Sequence, residues 1–312
     1  MFFRRWPART QPGEETVVVG AGRYAPSPSG DLHLGNLRTA VLAQLFARSS
    51  GRRFLLRIED LDRVRPGAQE RQVADLRAIG IGWDDVVRQS ERRPLYDAAL
   101  AALIAADRVY ECFCTRREIQ EAASAPHAPP GAYPGTCRHL TETERTHRRA
   151  LRPAALRLRS EVAELAIDDL LAGPYTGQVD DFVLRRTDGV PAYNLAVVVD
   201  DGAQGVDQVV RGDDLLPSTP RQAYLAGLLG LAVPQYVHVP LVLGPTGARL
   251  AKRDGAVTLA ELAPDDVGAD DVLSLLAVSL DLAQPGEPVS MRTLERRFDP
   301  AAVPLRPWTW VG

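Results

Sequence analysis

Lysine is almost missing from this chain: of 37 basic residues among 312, Lys252 alone is not arginine. Rich arginine and alanine usage is a compositional bias, and against it one retained lysine asks for an explanation. Cysteine is scarce too, with three residues, two of them one position apart. That number excludes the paired framework of a small secreted domain and points to a cytoplasmic protein. No apolar run approaches the about 18 residues of a membrane-spanning helix, so no membrane role is expected. The opening Met-Phe-Phe-Arg-Arg-Trp-Pro is basic and apolar, but its apolar part is too short for a signal peptide. Residues 1–22 are expected to be a loosely ordered extension. Positive charge in excess is lacking as well. The net charge of −3 argues against a broad nucleic-acid surface and leaves room for a local one.

What is present suits a globular enzyme: 45% hydrophobic and 25% charged residues, at a length fit for one large domain or two. The most informative stretch is residues 23–36, Arg-Tyr-Ala-Pro-Ser-Pro-Ser-Gly-Asp-Leu-His-Leu-Gly-Asn. Val17-Val18-Val19 lead into it as a strand would. Pro26 and Pro28 fix φ and forbid helix, so the chain leaves as a stiff extended turn. From His33 onward, Leu37, Val41, Leu42, Leu45 and Phe46 recur at helical spacing. A loop at a helix N-terminus is suited to phosphate, because free N–H groups and the helix dipole face the anion. His33 adds a proton or a hydrogen bond there.

Further along, residues 53–60 read as a buried strand ending in carboxylates. Residues 67–80 and 94–107 read as helices, with Gly82-Trp83-Asp84 as the turn between them. Asp188-Gly189 marks a hairpin. Cys112, Cys114 and Cys137, drawn from two short segments, fit a zinc clip, and chemistry alone leaves its fourth ligand open between His127 and His139. Seven arginines between residues 138 and 159 make either a phosphate-contacting strip or a solvated helix face.

Residues 23–36 closely resemble the signature loop of the glutamyl-tRNA synthetase branch of class I aminoacyl-tRNA synthetases. There, Arg-Phe-Ala-Pro-Ser-Pro-Thr-Gly runs into a His-Ile-Gly-His-type ATP motif. Here Tyr24, Ser29 and Asn36 replace Phe, Thr and the last His. The likeness continues in order. Residues 57–62, Arg-Ile-Glu-Asp-Leu-Asp, resemble the family's Arg-Ile-Glu-Asp-Thr-Asp, with Leu61 for Thr. Residues 193–196 match its Tyr-x-Leu-Ala and residues 209–211 its Val-x-Arg. Residues 249–253, Arg-Leu-Ala-Lys-Arg, take the place of its mobile Lys-Met-Ser-Lys-Ser loop, with Ala251 for serine.

The resemblance covers residues 23 to about 305. It implies an α/β fold: a Rossmann-like class I synthetase catalytic core with a zinc-bearing insertion and a short helical C-terminal part. The halves of the core are expected at 23–109 and 181–260, the insertion at 110–180 and the helical segment at 261–312. It also implies ATP-dependent activation of L-glutamate to glutamyl-adenylate, with magnesium accompanying ATP. By the same resemblance Arg23, Tyr24, Ala25, Pro26, Ser27, Glu59, Tyr193 and Arg211 bind glutamate. Glu59 holds its amino group and Arg211 its side-chain carboxylate. His33, Gly35, Asn36 and Lys252 bind ATP, and His33 and Lys252 are the catalytic pair. The residues by themselves leave two plainer readings open, Glu59 as a cap on the next helix and Arg211 as the partner of Asp213 or Asp214.

Synthetases of the glutamyl-queuosine type carry Cys-x-Cys followed by Tyr-x-x-x-Cys. Cys112, Cys114, Tyr133 and Cys137 reproduce it, implying one structural zinc per chain with tyrosine as the fourth ligand. Those synthetases also have an apolar residue where many glutamyl-tRNA synthetases place an asparagine that helps to hold the amino acid, and here the residue is Val197. The chain stops where glutamyl-tRNA synthetases continue into a helical anticodon-binding domain. The expectation is a monomer that transfers glutamate to the queuosine base in the anticodon loop of queuosine-modified tRNA(Asp). The alternative is a truncated glutamyl-tRNA synthetase that charges the tRNA 3′ end.

Overall fold

Four buried residues, Ala-Gly-Arg-Tyr, form the first strand, β1 (Ala21–Tyr24), which runs directly into the Pro26–Pro28 turn. The computed structural model describes residues 20–115, 117–119, 133–247, 250 and 257–311. Val17–Val19 therefore lie outside the described residues, and the strand that carries the motif is made by the motif's own first residues. Helix α1 (Leu34–Ser49) follows. Its leucines and alanines are buried on nearly every side, together with Arg38 and Gln44. It is thus a core helix rather than one with a single apolar face. Arg38 donates to the Pro240 carbonyl at 2.9 Å and to Ser279 Oγ at 3.1 Å, which satisfies its buried guanidinium.

Next come β2 (Arg53–Ile58), α2 (Ala68–Ala78), β3 (Asp85–Arg88) and α3 (Arg93–Ala105). The sequence reading had only a turn where β3 lies. This edge strand is half exposed and too short for any hydrophobic period. Then follow β4 (Val109–Cys112), α4 (Glu142–Leu151), β5 (Ala155–Leu158), β6 (Glu164–Asp169), β7 (Gly173–Gln178) and β8 (Val183–Arg185). The chain continues through α5 (Tyr193–Gln204), β9 (Val206–Gly212), α6 (Thr219–Leu228), β10 (Gln235–Val239) and β11 (Val242–Leu243). It closes with α7 (Leu259–Leu262), α8 (Ala269–Val278), α9 (Met291–Arg297) and β12 (Trp308–Thr309).

The main sheet has the order β3-β2-β1-β9-β10-β6-β7. All neighbours are parallel except β6 and β7. From β1 the chain passes to β2 on one side, and β9 arrives on the other. In open α/β sheets such a reversal leaves a crevice beyond the carboxyl ends of the strands. A small antiparallel sheet, β4-β5-β8, stands beside it, and β11 pairs with β12 in parallel. Within residues 110–180, expected to form the insertion, the segment 164–178 pairs into the main sheet through β6 and β10, while β4 and β5 stay in the small one. At Asp188-Gly189 the hairpin is a single bridge, Arg185 to Pro191, before α5 begins. Among the described residues no helix is long and apolar enough to cross a membrane.

Candidate active site

The crevice beyond β1, β2 and β9 is a cleft of about 620 Å3. Arg23 through Ser27, His33, Gly35, Asn36, Glu59, Tyr193 and Arg211 all line it. Lys252 and Ala251 lie outside the described residues. The loop between β1 and α1 is held from behind. Gln72 on α2, buried to 2% exposure, donates from Nε2 to the carbonyls of Gly30 at 2.6 Å and Ser27 at 3.1 Å. Gly30 has φ of +146°, a region that side chains resist. The amides of Glu59 and Arg65 donate to the carbonyls of Pro26 and Pro28. Sequence reasoning passed over Gln72, whose only signal is a glutamine on the inner face of a helix.

His33 is the N-cap of α1. Its Nδ1 accepts from the Gly35 amide at 3.1 Å and the Asn36 amide at 3.3 Å, and Asn36 Oδ1 accepts from the His33 amide at 3.2 Å. This reciprocal cap satisfies helix-start donors that would otherwise be orphaned. With Nδ1 used as an acceptor, the neutral ring carries its proton on Nε2. Gly35 is required for this cap, since a Cβ there would stand 3.0 Å from the His33 ring and 3.4 Å from Val242.

Behind the cleft floor is a buried cluster of balanced charge. Asp201 accepts from Arg23 Nε at 3.1 Å and Arg57 NH1 at 2.7 Å. Asp200 accepts from Arg92 Nε at 2.5 Å, and from Gln89 Nε2 and the Tyr96 hydroxyl at 2.8 Å each. Glu59 follows β2 and lies 3.6 Å from Arg57 NH2, too far for a hydrogen bond. Burial pushes the Glu59 carboxyl above the ordinary glutamate range, although Arg57 and Arg23 pull it down. It does not cap the next helix: the N-cap of α2 is Gly67, with no side-chain cap bond.

Arg211, at the end of β9, is 4% exposed. Its Nε donates to His238 Nε2 at 3.0 Å, NH1 to Gln222 Oε1 at 2.7 Å and NH2 to Thr219 Oγ1 at 2.8 Å. Among the described residues it has no carboxylate partner, so pairing with Asp213 or Asp214 does not occur. A buried cation held only by neutral acceptors is poised to receive an anion. Tyr193, at the first turn of α5, is 42% exposed to the cleft. Val197, one turn further on, is buried among Tyr96, Leu100 and Leu184 and does not line the cleft. Val197 therefore touches the bound amino acid, if at all, only through the residues packed on it.

The three cysteines converge. Their Sγ atoms all lie within 4.8 Å of one another, with Cys114 and Cys137 3.5 Å apart. The Tyr133 hydroxyl is 3.3 Å from Cys112 Sγ and 3.5 Å from Cys114 Sγ. A tetrahedral ion about 2.3 Å from each sulfur sets sulfurs about 3.8 Å apart, so the cage fits a metal with little movement. The hydrogen bond between Cys112 and Cys137 drives their thiols apart: Cys137 is drawn down to about 6, and Cys112 is pushed up to about 12, with burial adding to the rise. His139 is exposed and outside the cage, and His127 lies outside the described residues. The arginine-rich stretch resolves into internal contacts. Arg138 pairs with Asp181, Arg145 with Glu142, Arg149 with Glu111 and Arg152 with Glu118, while the Arg157 guanidinium stacks 3.7 Å over the Tyr133 ring. Helix α4 buries no residue, as a solvated face requires.

The family model of the class I tRNA synthetases (E and Q), catalytic domain, matches residues 19–280. A glutamyl-Q tRNA(Asp) synthetase of Nocardia farcinica is 68% identical over 294 residues, 94% of this chain and 93% of its own. A second, from Cutibacterium acnes, is 53% identical over 274 residues, 86% of this chain and 78% of its own. Among solved structures, a glutamate tRNA ligase from Elizabethkingia meningosepticum in complex with its amino acid superposes with a TM-score of 0.80 at 28% identity. The match covers 93% of this chain and 66% of that one, so the chain spans about two thirds of the ligase.

Proposed function

We propose that this chain, which belongs to the glutamyl-Q tRNA(Asp) synthetases within the class I family for E and Q, activates L-glutamate with ATP and passes it to the queuosine base of tRNA(Asp). The observation that carries the substrate assignment is Arg211. It is a buried guanidinium without a carboxylate partner among the described residues, sharing one cleft with a buried Glu59 and the His33-capped start of α1. Glutamate supplies what each lacks. Its side-chain carboxylate takes the free N–H groups of Arg211 through two parallel bonds. Its α-ammonium takes Glu59, whose buried carboxylate gains a counter-charge. Glutamine would bring an uncharged amide, with N–H against N–H, to the same fork.

An oxygen of the α-carboxylate then attacks the α-phosphorus of ATP, and the bond from that phosphorus to pyrophosphate breaks. The positive dipole end of α1, whose first amides are held by the His33 cap, serves the phosphates together with the Nε2–H of His33, and Lys252 neutralises charge on the departing pyrophosphate. One preorganised donor or cation of this kind contributes about 3–4 kcal/mol to a transition state. Magnesium accompanying ATP adds counter-charge on the phosphates. In the second step a hydroxyl oxygen of queuosine attacks the acyl carbon, the acyl–phosphate bond breaks, and AMP departs with the hydroxyl proton taken up by its phosphate. Positioning and electrostatics suffice, and no covalent enzyme intermediate is invoked. Cys112, Cys114, Tyr133 and Cys137 would hold one structural zinc. A closed four-ligand site leaves no position for reactive water.

The test has two stages. Glutamate-dependent exchange of pyrophosphate into ATP is expected without tRNA. Labelled glutamate is then expected to pass to tRNA(Asp) isolated with queuosine and to fail with an unmodified transcript. Equal labelling of the transcript would overturn the queuosine assignment in favour of charging at the 3′ end.

A further inference from the structure

Five N–H groups make up a guanidinium, and the partners of Arg211 account for three of them: one on Nε, one on NH1 and one on NH2. One hydrogen remains on each terminal nitrogen, the pair that a carboxylate takes. What fixes this division is a chain of buried groups on neighbouring elements. Asp169, at the end of β6, lies with its Oδ2 2.6 Å from His238 Nδ1 on β10. His238 Nε2 faces Arg211 Nε at 3.0 Å and Thr219 Oγ1 at 3.1 Å. Both carboxylate and ring are fully buried as side chains.

The proton positions on the imidazole follow from its neighbours. Arginine keeps its Nε proton, so His238 Nε2 must accept. The ring proton then sits on Nδ1, where Asp169 accepts it. Thr219 Oγ1 accepts from Arg211 NH2, and its hydroxyl shares the Nε2 lone pair with the Arg211 Nε–H. Asp169 is itself held by the amides of Leu171, Ala172 and His238. If Nε2 were protonated, it would set an N–H against the Arg211 Nε–H and disrupt the set.

We propose that Asp169, His238 and Thr219 are positioning residues for glutamate selection, which lock Arg211 so that only its two outward N–H groups reach the substrate. This rests on the assignment of Arg211 to the side-chain carboxylate. None of the three lines the cleft. They act through the guanidinium alone, so their effect falls on glutamate and spares ATP.

The experiment measures pyrophosphate exchange with His238→Leu, His238→Gln, Thr219→Val and Arg211→Ala. Loss of a hydrogen bond to a charged group is worth about 10- to 100-fold in affinity. His238→Leu is expected to raise the KM for glutamate by that factor while leaving the KM for ATP within about twofold. His238→Gln, whose amide oxygen can stand in for Nε2, recovers most of the loss. Thr219→Val, a near-isosteric change, shows a smaller shift of the same kind and supplies the reading should His238→Leu fail to fold. An unchanged KM for glutamate in folded His238→Leu, or in Thr219→Val if His238→Leu is unfolded, overturns the proposal. So does an equal rise in the KM for ATP. The parent assignment is judged separately. If Arg211→Ala leaves glutamate activation normal, Arg211 does not bind the side chain. If only Arg211→Ala raises the KM, the assignment stands and the positioning chain falls.

Discussion

Glu59 and Arg57 sit side by side in the interior without closing a hydrogen bond, and among the described residues Arg57 NH2 has no hydrogen-bond partner. A structural pair would close that gap, because an unsatisfied buried donor is costly. Folding raises the pKa of Glu59, and the sign of the consequence is definite. Ionising the carboxylate in the folded protein costs stability, and the cost builds as pH rises from the ordinary glutamate range to the raised value, above which it is complete. Well below the ordinary glutamate range it is absent. Glu59→Gln is therefore expected to keep or raise the melting temperature at pH 7.5 while raising the KM for glutamate about 10- to 100-fold. A melting temperature several degrees lower, with glutamate binding intact, would make Glu59 a structural residue. At this scale the sequence was legible where a position demands one chemistry. Gly35 must clear the His33 ring, and Arg211 must offer a fork. Gln72, Thr219, His238 and Asp169 were not legible, because their partners lie up to 69 positions away along the chain and no local pattern announces them. Val197 marked the glutamyl-queuosine type correctly, but its spacing does not say that it packs into the core.

Among elements, α1 and β2 could be read directly, because a buried helix and a buried strand leave long apolar records. β3 left none. The sulfur cage illustrates how a short element compensates for little core. Tyr110, Cys112, Phe113, Tyr133, Cys137 and Leu140 make up its buried cluster, so half of that cluster are the proposed ligands. An ion held there would substitute for packing. Elemental analysis of protein prepared without chelator is expected to find about one zinc per chain, and none at all would remove the metal assignment. Cys114→Ser is expected to lose the zinc and melt earlier, yet keep pyrophosphate exchange per folded molecule within about twofold. Chemistry alone left the fourth ligand open, and burial favours the tyrosine that the resemblance implied: Tyr133 turns its hydroxyl into the cage, whereas His139 faces solvent.

For the molecule as a whole, the buried charges act as a clasp. Arg23 on β1, Arg57 on β2, Asp200 and Asp201 on α5, and Tyr96 on α3 meet in one place, uniting chain segments about 180 residues apart. Removing one member of such a set costs about 3–5 kcal/mol, because the others are left uncompensated. Arg57→Met is expected to lose that much in urea unfolding, and a loss under about 1 kcal/mol would show the set to be slack. The order of the sheet could not be foreseen from the sequence, since nothing local states that β9 will lie against β1. That adjacency has a bearing on how the protein is made. During translation β1, β2 and β3 emerge first, and β1 has one bare edge until Val206–Gly212 leaves the ribosome, about 180 residues later. At 5–20 residues per second, the typical pace of synthesis, that is a wait of about 10–40 seconds. The sulfur cage, lying between the two halves in the chain, is synthesised during that interval, before the last strands of the main sheet.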